Sequence, residues 1–302
     1  MNAKGRARRV ADDNEEHEQN GEGIDLTPEL LLGAYAAGVF PMAEGRHASD
    51  VGWYDPERRG ILPLDGLHIP ARLRRTVRAR LYDVTFNHDF PAVIRACADA
   101  RRETWINDTI IALYERTHYR GFAHSVEVRE KQTGTLVGGL YGIALGGAFF
   151  GESMFSTARD ASKVGFVHLA ARLRARGFVL WDAQFVNSHL LQFGCIEISR
   201  AEYHRRLQAA LLRSDVRFDG YGRRYNAAAY SPAGAASVSS GDASVSTLSA
   251  LSLTPSGLSL TPSASPATAA ASVAASSGAT SDENFSDFAE VADFLQSITQ
   301  TS

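Results

Sequence analysis

The sequence is poor in the residues that hold small or metal-dependent folds together. Among 302 residues there are two cysteines, Cys97 and Cys195, both in apolar surroundings and without the spacing of metal ligands. This predicts neither a disulfide framework nor a zinc site, and it suits a reducing compartment. The net charge is only −3 at pH 7. Overall charge therefore excludes no class of partner, because a nearly neutral protein can still carry a local basic stripe.

Long apolar segments are also missing. The first twenty residues, MNAKGRARRVADDNEEHEQN, lack the apolar region of a signal peptide, and their acidic second half argues against a transit peptide. No apolar run is long enough to span a bilayer. We expect a soluble, cytoplasmic protein without a membrane partner.

Composition divides the chain into a central body and polar ends. Residues 1–23 and the Ser/Ala-rich stretch 231–281, with LSLTPS at 251–256 and 258–263, are predicted to be disordered. The acidic tail 282–302 has Phe285, Phe288, Ala292 and Leu295 at helical spacing. A short amphipathic helix is expected there, either docking on an unknown partner or remaining a weakly structured terminus.

The body between these ends predicts an α+β domain with a mixed sheet. Thr27 followed by Pro28 is typical of a helix start. Three extended runs separated by turns at 133–134 and 146–147 predict consecutive hairpins. A long helix near 161–177, a strand, and a helix capped by Ser199 follow.

One of these strands carries an unusual polar pair. The segment LWDAQFVN at 180–187 resembles a buried strand interrupted by Asp182 and Gln184. Side chains two positions apart on a strand point to one face, so we expect the acid and the amide to stand side by side on one surface. Alone, this pattern is more typical of a solvated sheet face than of a reaction site.

Several phrases together resemble the leucyl/phenylalanyl-tRNA–protein transferases. They keep order and spacing from about 26 to 212, and include LTPELLLGAYAAGVFP, WYDPERRGIL, HSVEV, LVGGLYGIA, FFGESMFS and WDAQFVNSHLLQFGCIEISR. The resemblance implies a small N-terminal domain, 24–66, and a larger domain, 67–230, with an acetyltransferase-like (GNAT-type) fold.

The resemblance also implies an activity. The expected reaction moves Leu or Phe, and Met less well, from Leu-tRNA or Phe-tRNA to proteins with N-terminal Arg or Lys. The product would carry an N-degron that marks it for degradation. No metal and no organic cofactor is implied.

The same resemblance assigns candidate site residues. The reaction centre is expected to contain Asp182, Gln184, Glu152 and Asn187. Whether Asp182 removes a proton or orients a substrate stays open. The predicted lining of the pocket for the Leu or Phe side chain is Leu140, Phe149, Met154, Leu169 and Trp181. Trp181 stands where a smaller aliphatic residue is usual in the family. Plain core packing is the alternative for each of these five.

Two further groups are assigned to the tRNA. Trp105 and Tyr114 match aromatic positions for the terminal adenosine, whereas Met42 replaces a Trp that is common in the family. Arg72, Arg74, Arg75 and Arg78 are expected to bind tRNA phosphates, with a solvated helix face as the alternative.

Two other functions compete with this interpretation. A GNAT-type acyl-CoA N-acyltransferase would need a Gly-rich turn at a helix start to hold a pyrophosphate. The segment TARDASKVGF, after MFS, has no closely spaced glycines. A non-catalytic tRNA-binding adaptor is the second alternative, and the presence of both Asp182 and Glu152 argues against it. The preference among Leu, Phe and Met, the oligomeric state and the purpose of the tail stay open.

Overall fold

The computed structural model describes residues 26–219 and 282–300, and it describes side chains of the last helix over 289–298. The predicted disordered segments, 1–23 and 231–281, lie outside the described residues.

Eight helices and nine strands are described. The helices are α1 (Pro28–Ala36), α2 (Ala71–Arg78), α3 (Phe90–Asp99), α4 (Asp108–Tyr119), α5 (Ala161–Ala175), α6 (Ser188–Leu191), α7 (Arg200–Leu211) and α8 (Asp282–Gln300). The strands are β1 (Phe40–Ala43), β2 (Val51–Tyr54), β3 (Arg58–Leu62), β4 (Tyr82–Phe86), β5 (Ala123–Glu130), β6 (Leu136–Leu145), β7 (Ala148–Ser156), β8 (Leu180–Gln184) and β9 (Ile196–Ser199).

Helix starts follow the local sequence. The Thr27 side chain accepts a hydrogen bond from the Leu30 N–H, and Pro28 occupies the first turn of α1. The Ser199 hydroxyl likewise accepts from the Glu202 N–H at the start of α7. Each cap satisfies an N–H group that has no partner within its own helix. Both predicted helix starts are confirmed.

The larger sheet has seven strands in the order β4-β5-β6-β7-β8-β3-β9. All neighbours are antiparallel except β7 and β8, which are parallel and are joined through α5. The predicted α+β class with a mixed sheet is therefore confirmed. Strand β3, which the sequence assigned to the small N-terminal domain, lies within the larger sheet between β8 and β9.

Hydrophobic residues fill both faces of this sheet. One cluster joins the sheet to α2, α5 and α8, and the other joins it to α1, α3, α4 and α7. Strand β8 contributes to both, since Trp181 belongs to the first cluster and Leu180 to the second. Strand β8 is therefore enclosed by side chains on both faces of the sheet, including the face that carries Asp182.

Candidate active site

A pocket of about 700 Å³ opens where β7 and β8 separate. The two parallel strands pair only from Ala148–Phe150 to Leu180–Asp182, although β7 continues to Ser156. Beyond this pairing the gap is lined by 151–156 on one side and by Ala183 and Gln184 on the other. The pocket therefore forms where the pairing of β7 with β8 ends, and the residues that follow on each strand line it.

Three polar residues of the predicted reaction centre line this pocket together. They are Glu152 from β7, Gln184 at the end of β8 and Asn187 just before α6. The Asn187 side chain also accepts a hydrogen bond from the Leu190 N–H and so caps α6. The short helix therefore fixes the position of Asn187 at the pocket wall.

Asp182 lies behind the pocket. Its side chain is fully buried and is not among the lining residues. The expectation that Asp182 and Gln184 stand side by side on one surface is therefore wrong for Asp182, because only Gln184 lines the pocket. Gln184 departs from strand geometry with φ 53, and its N–H donates to Asp182 Oδ1 at 2.9 Å. Asp182 therefore contacts the pocket only indirectly, through its hydrogen bond with Gln184.

A fully buried arginine partners Asp182. Arg59 donates from Nε to Oδ1 at 3.0 Å and from Nη2 to Oδ2 at 2.6 Å, a two-pronged ion pair. Its third nitrogen, Nη1, donates to the Gly38 carbonyl at 2.9 Å. The Tyr203 hydroxyl adds a hydrogen bond to Oδ2 at 3.0 Å. A buried carboxylate tolerates its loss of water only with such a complete set of partners.

Glu152 is held by two tyrosines. The Tyr35 hydroxyl donates to Glu152 Oε1 at 2.5 Å, and the Tyr35 and Tyr114 hydroxyls are 2.5 Å apart. Burial raises the pKa of Glu152 to about 8; the Tyr35 hydrogen bond opposes this rise, and the charge of Asp182 adds to it. Burial, followed by the charge of Glu152, also raises the pKa of Tyr35. The tyrosine therefore stays a donor while Glu152 titrates close to neutral pH.

Gln184 has an unused donor. Its Nε2 is buried without a hydrogen-bond partner among the described residues. Leaving a buried donor unpaired costs free energy, which a ligand acceptor at this point would remove. The amide is therefore free to hold a carbonyl oxygen in the pocket.

The apolar part of the pocket contains four of the five predicted side chains. Leu140, Met154, Leu169 and Trp181 line it. Phe149 instead packs behind Trp181, with the ring centroids 6.3 Å apart. The Trp181 ring also stacks on Phe166 at 4.6 Å. The indole is thus wedged between two phenylalanines and narrows the pocket.

The three residues predicted for adenosine binding differ in accessibility. Met42 and Trp105 are half-buried, and their segments adjoin because the Ala43 N–H donates to the Trp105 carbonyl. Tyr114 is fully buried and directs its hydroxyl at Tyr35. In this conformation Tyr114 offers no open ring face to a base.

The four predicted phosphate-binding arginines lie on α2. Arg72, Arg75 and Arg78 are exposed and Arg74 is half-buried, while Leu73 and Val77 anchor the helix in the core. In the described part of the chain, no carboxylate pairs with any of the four. Their guanidinium groups remain available to an anionic partner.

Sequence reasoning missed Arg59, Tyr203 and Tyr35. Arg59 follows another arginine in a charged turn, which is typical of a surface residue. Its partner Asp182 is 123 positions away in sequence. No local sequence pattern indicates such a pair, because the pair forms only when β3 lies beside β8 in the folded sheet.

Two further findings concern the described residues only. They contain no group of three or more His, Cys, Asp or Glu side chains arranged to hold a metal ion. They also contain no helix that combines the length and the apolar character needed to cross a bilayer.

Comparison with known proteins gives one consistent family. Residues 61–208 match the model of the leucyl/phenylalanyl-tRNA protein transferases, and residues 24–57 match the model of their N-terminal domain. A leucyl/phenylalanyl-tRNA–protein transferase of Cereibacter sphaeroides is 58% identical over 186 residues, which are 62% of this chain and 86% of the relative. One of Paramagnetospirillum magneticum is 58% identical over 189 residues, which are 62% and 90% of the two chains.

Among solved structures, one described as L-PGS from Bacillus licheniformis aligns with a TM-score of 0.31 and 14% identity over 52% of each chain. That degree of similarity supports no statement about the fold.

Proposed function

The chain belongs to the leucyl/phenylalanyl-tRNA–protein transferase family, and we propose that it joins Leu or Phe, and Met less well, to proteins that begin with Arg or Lys. It is an enzyme, and its reaction is aminoacyl transfer from tRNA to protein. The proposed product is an N-degron, made in the cytoplasm where charged tRNA is found.

One observation carries the proposal: a single pocket combines an apolar wall with three polar groups. Leu140, Met154, Leu169 and Trp181 form the wall, which suits an aromatic side chain or an aliphatic one without a branch at Cβ. The flexible thioether of Met154 can adapt to either guest. Glu152, Gln184 and Asn187 lie in the same pocket, within reach of the ester that such a side chain would bring.

The reaction itself needs alignment more than activation. The neutral α-amine of the acceptor attacks the ester carbonyl carbon. A peptide bond forms, the bond to the 3′-oxygen of the terminal adenosine breaks, and the amine proton ends on that oxygen. We assign Gln184 to the ester carbonyl or the incoming amine, because its Nε2 has no partner of its own among the described residues.

Asp182 acts through Gln184 in this proposal. Its contact with the Gln184 N–H supports an orienting role, and its burial argues against direct proton removal from the acceptor. Arg59 and Tyr203 in turn fix Asp182.

Glu152 is the proposed site for the cationic acceptor. A guanidinium or ammonium group beside this carboxyl would favour its ionised form, opposing the effect of burial on its pKa. Charge pairing at this position supports a preference for N-terminal Arg or Lys over uncharged residues. Asn187 is assigned to the ester or the ribose beside it.

The tRNA end is proposed to bind outside this pocket. Trp105 and Met42 are assigned to the terminal adenosine, with Tyr114 supporting Glu152 from within the core. Arg72, Arg74, Arg75 and Arg78 are assigned to phosphates, which give affinity without base recognition.

A GNAT-like fold of the larger domain is also part of the proposal. The parallel β7–β8 pair that separates to form the pocket, in an otherwise antiparallel sheet, supports it.

The test is transfer of labelled Leu from Leu-tRNA to two reporter proteins that differ only in beginning with Arg or with Ala. We expect incorporation into the Arg reporter alone, and Glu152→Gln should lose most of that discrimination. Equal labelling of both reporters would contradict the acceptor proposal. Absence of any transfer would contradict the activity.

A further inference from the structure

The C-terminal helix α8 is buried against the body of the protein. Its described side chains at 291, 294, 295 and 298 are 4%, 4%, 2% and 7% exposed, and they belong to the core cluster around α5. Ala292, which the sequence placed on the apolar face, is exposed instead. The buried positions follow the i, i+3, i+4, i+7 spacing by which an amphipathic helix lies in a groove.

Polar contacts define the orientation of α8. Arg174 Nη1 donates to Ser297 Oγ at 3.0 Å, and its guanidinium carbon lies 5.5 Å from the centre of the Phe294 ring. Arg176 Nε lies 3.9 Å from Glu290 Oε1. Both arginines are at the C-terminal end of α5. They face a segment, 282–300, that contains five carboxylates and no lysine or arginine.

Helix α8 is separate from the family machinery. The two family models match residues 24–57 and 61–208, so both end before the first residue of α8. None of the residues that line the pocket comes from α8. The helix is therefore an element outside the part of the chain that matches the two family models.

We infer that the outer face of α5, with Arg174 and Arg176 at its edge, is a docking surface for an acidic amphipathic helix, and that this chain fills it with its own α8. The apolar spacing supplies the fit, Arg174 contacts the Ser297 hydroxyl and the Phe294 ring, and Arg176 next to Glu290 selects negative charge. Covalent attachment makes α8 a strong competitor, which excludes similar helices of other chains. This surface is independent of the proposed reaction.

The experiment uses the full-length chain and a fluorescein-labelled peptide of residues 282–302. Phe294→Ala with Leu295→Ala removes the two central side chains of the buried face while keeping helix-favouring residues. We expect the peptide to bind this variant at least about tenfold more tightly than the wild-type chain, whose surface is occupied. Asp293→Asn, on the exposed face, is the matched control and should behave as wild type.

Further variants and measurements test folding, the charge contact and the oligomeric state. Retained transfer activity shows that the variant is folded, and Ile298→Ser provides a milder variant, with intermediate peptide binding expected. Adding Arg176→Glu to the double variant should weaken the binding of the peptide again. Sedimentation should show a wild-type monomer.

Three results would overturn the inference. The first is equal affinity of the peptide for the wild-type chain and for the double variant. The second is no binding of the peptide to a double variant that retains transfer activity. A wild-type dimer that the substitutions dissociate would instead assign α8 to a second copy.

Discussion

Arg59 and Asp182 form a two-pronged ion pair at the centre of the protein, with both side chains essentially inaccessible to solvent. The pair joins β3 to β8, and the contact of Arg59 with the Gly38 carbonyl extends the connection to the end of α1. It therefore couples the N-terminal part of the chain to the strand that carries Gln184.

Removing the arginine should destabilise the fold. Arg59→Met leaves Asp182 buried without its counter-ion, and we expect a loss of about 3–5 kcal/mol in the free energy of unfolding. Arg58→Met is the matched control, since Arg58 is exposed and pairs with Glu197 at the surface. It should cost less than about 1 kcal/mol. Urea unfolding measures both, and equal losses would contradict a special role for Arg59.

Shortening Gln184 should slow transfer without weakening tRNA binding. Gln184→Asn keeps an amide and tolerates the positive φ of 53, but it withdraws the donor by one methylene. We expect a fall of about 10²-fold in the single-turnover rate, because misplacement by about 1 Å has that effect in aligned reactions. The tRNA dissociation constant, measured by filter binding, should stay the same. A loss confined to tRNA affinity would show that Gln184 binds tRNA and does not align the ester.

Glu152 should make stability depend on pH. The unfolded carboxyl ionises near 4.5, whereas the folded one keeps its proton up to about 8. Between these values the folded state binds more protons, so its stability falls as pH rises, by at most about 1.4 kcal/mol per unit. The Glu152→Gln variant lacks this loss. Urea unfolding from about pH 5 to about pH 8 should therefore give curves that diverge. Parallel curves for the two proteins would contradict the raised pKa.

Trp181 should restrict the choice of amino acid. Trp181→Leu widens the pocket, and we expect the ratio of Phe to Leu transfer to rise by about tenfold. Competition between Phe-tRNA and Leu-tRNA measures this ratio. Phe149→Leu is the control, because Phe149 packs behind Trp181 and does not line the pocket. It should lower stability and leave the ratio unchanged, so a similar shift in both variants would implicate general loosening of the core.

The arginines of α2 should control the salt dependence of tRNA binding. Replacing Arg75 and Arg78 with Gln is expected to reduce the slope of log affinity against log salt by roughly 0.7–0.9 for each phosphate that the variant no longer neutralises. Arg205→Gln is the control, since Arg205 is exposed but pairs with Glu202. An unchanged slope in the double variant would place the phosphates elsewhere.

Signals between near neighbours in the chain were enough to predict the helix starts, the hairpin turns and the family. Thr27 and Ser199 start their helices because each side chain caps an N–H group a few residues away. Gly134 and Gly146 turn the hairpins with positive φ values of 68 and 53. These caps and turns involve residues only three or four positions apart, so they can be predicted from the sequence. The ordered phrases also indicated the family that the comparisons then showed.

The surroundings of Asp182 and Gln184 became evident only in the folded protein. Alternation along β8 predicted that the two side chains share one surface, but the insertion of β3 encloses Asp182 with Arg59, and the positive φ of Gln184 ends the alternation. The same is true of α8, whose buried face includes Phe294 and not Ala292. Burial and ion pairing depend on which distant segments meet, and no local periodicity contains that information.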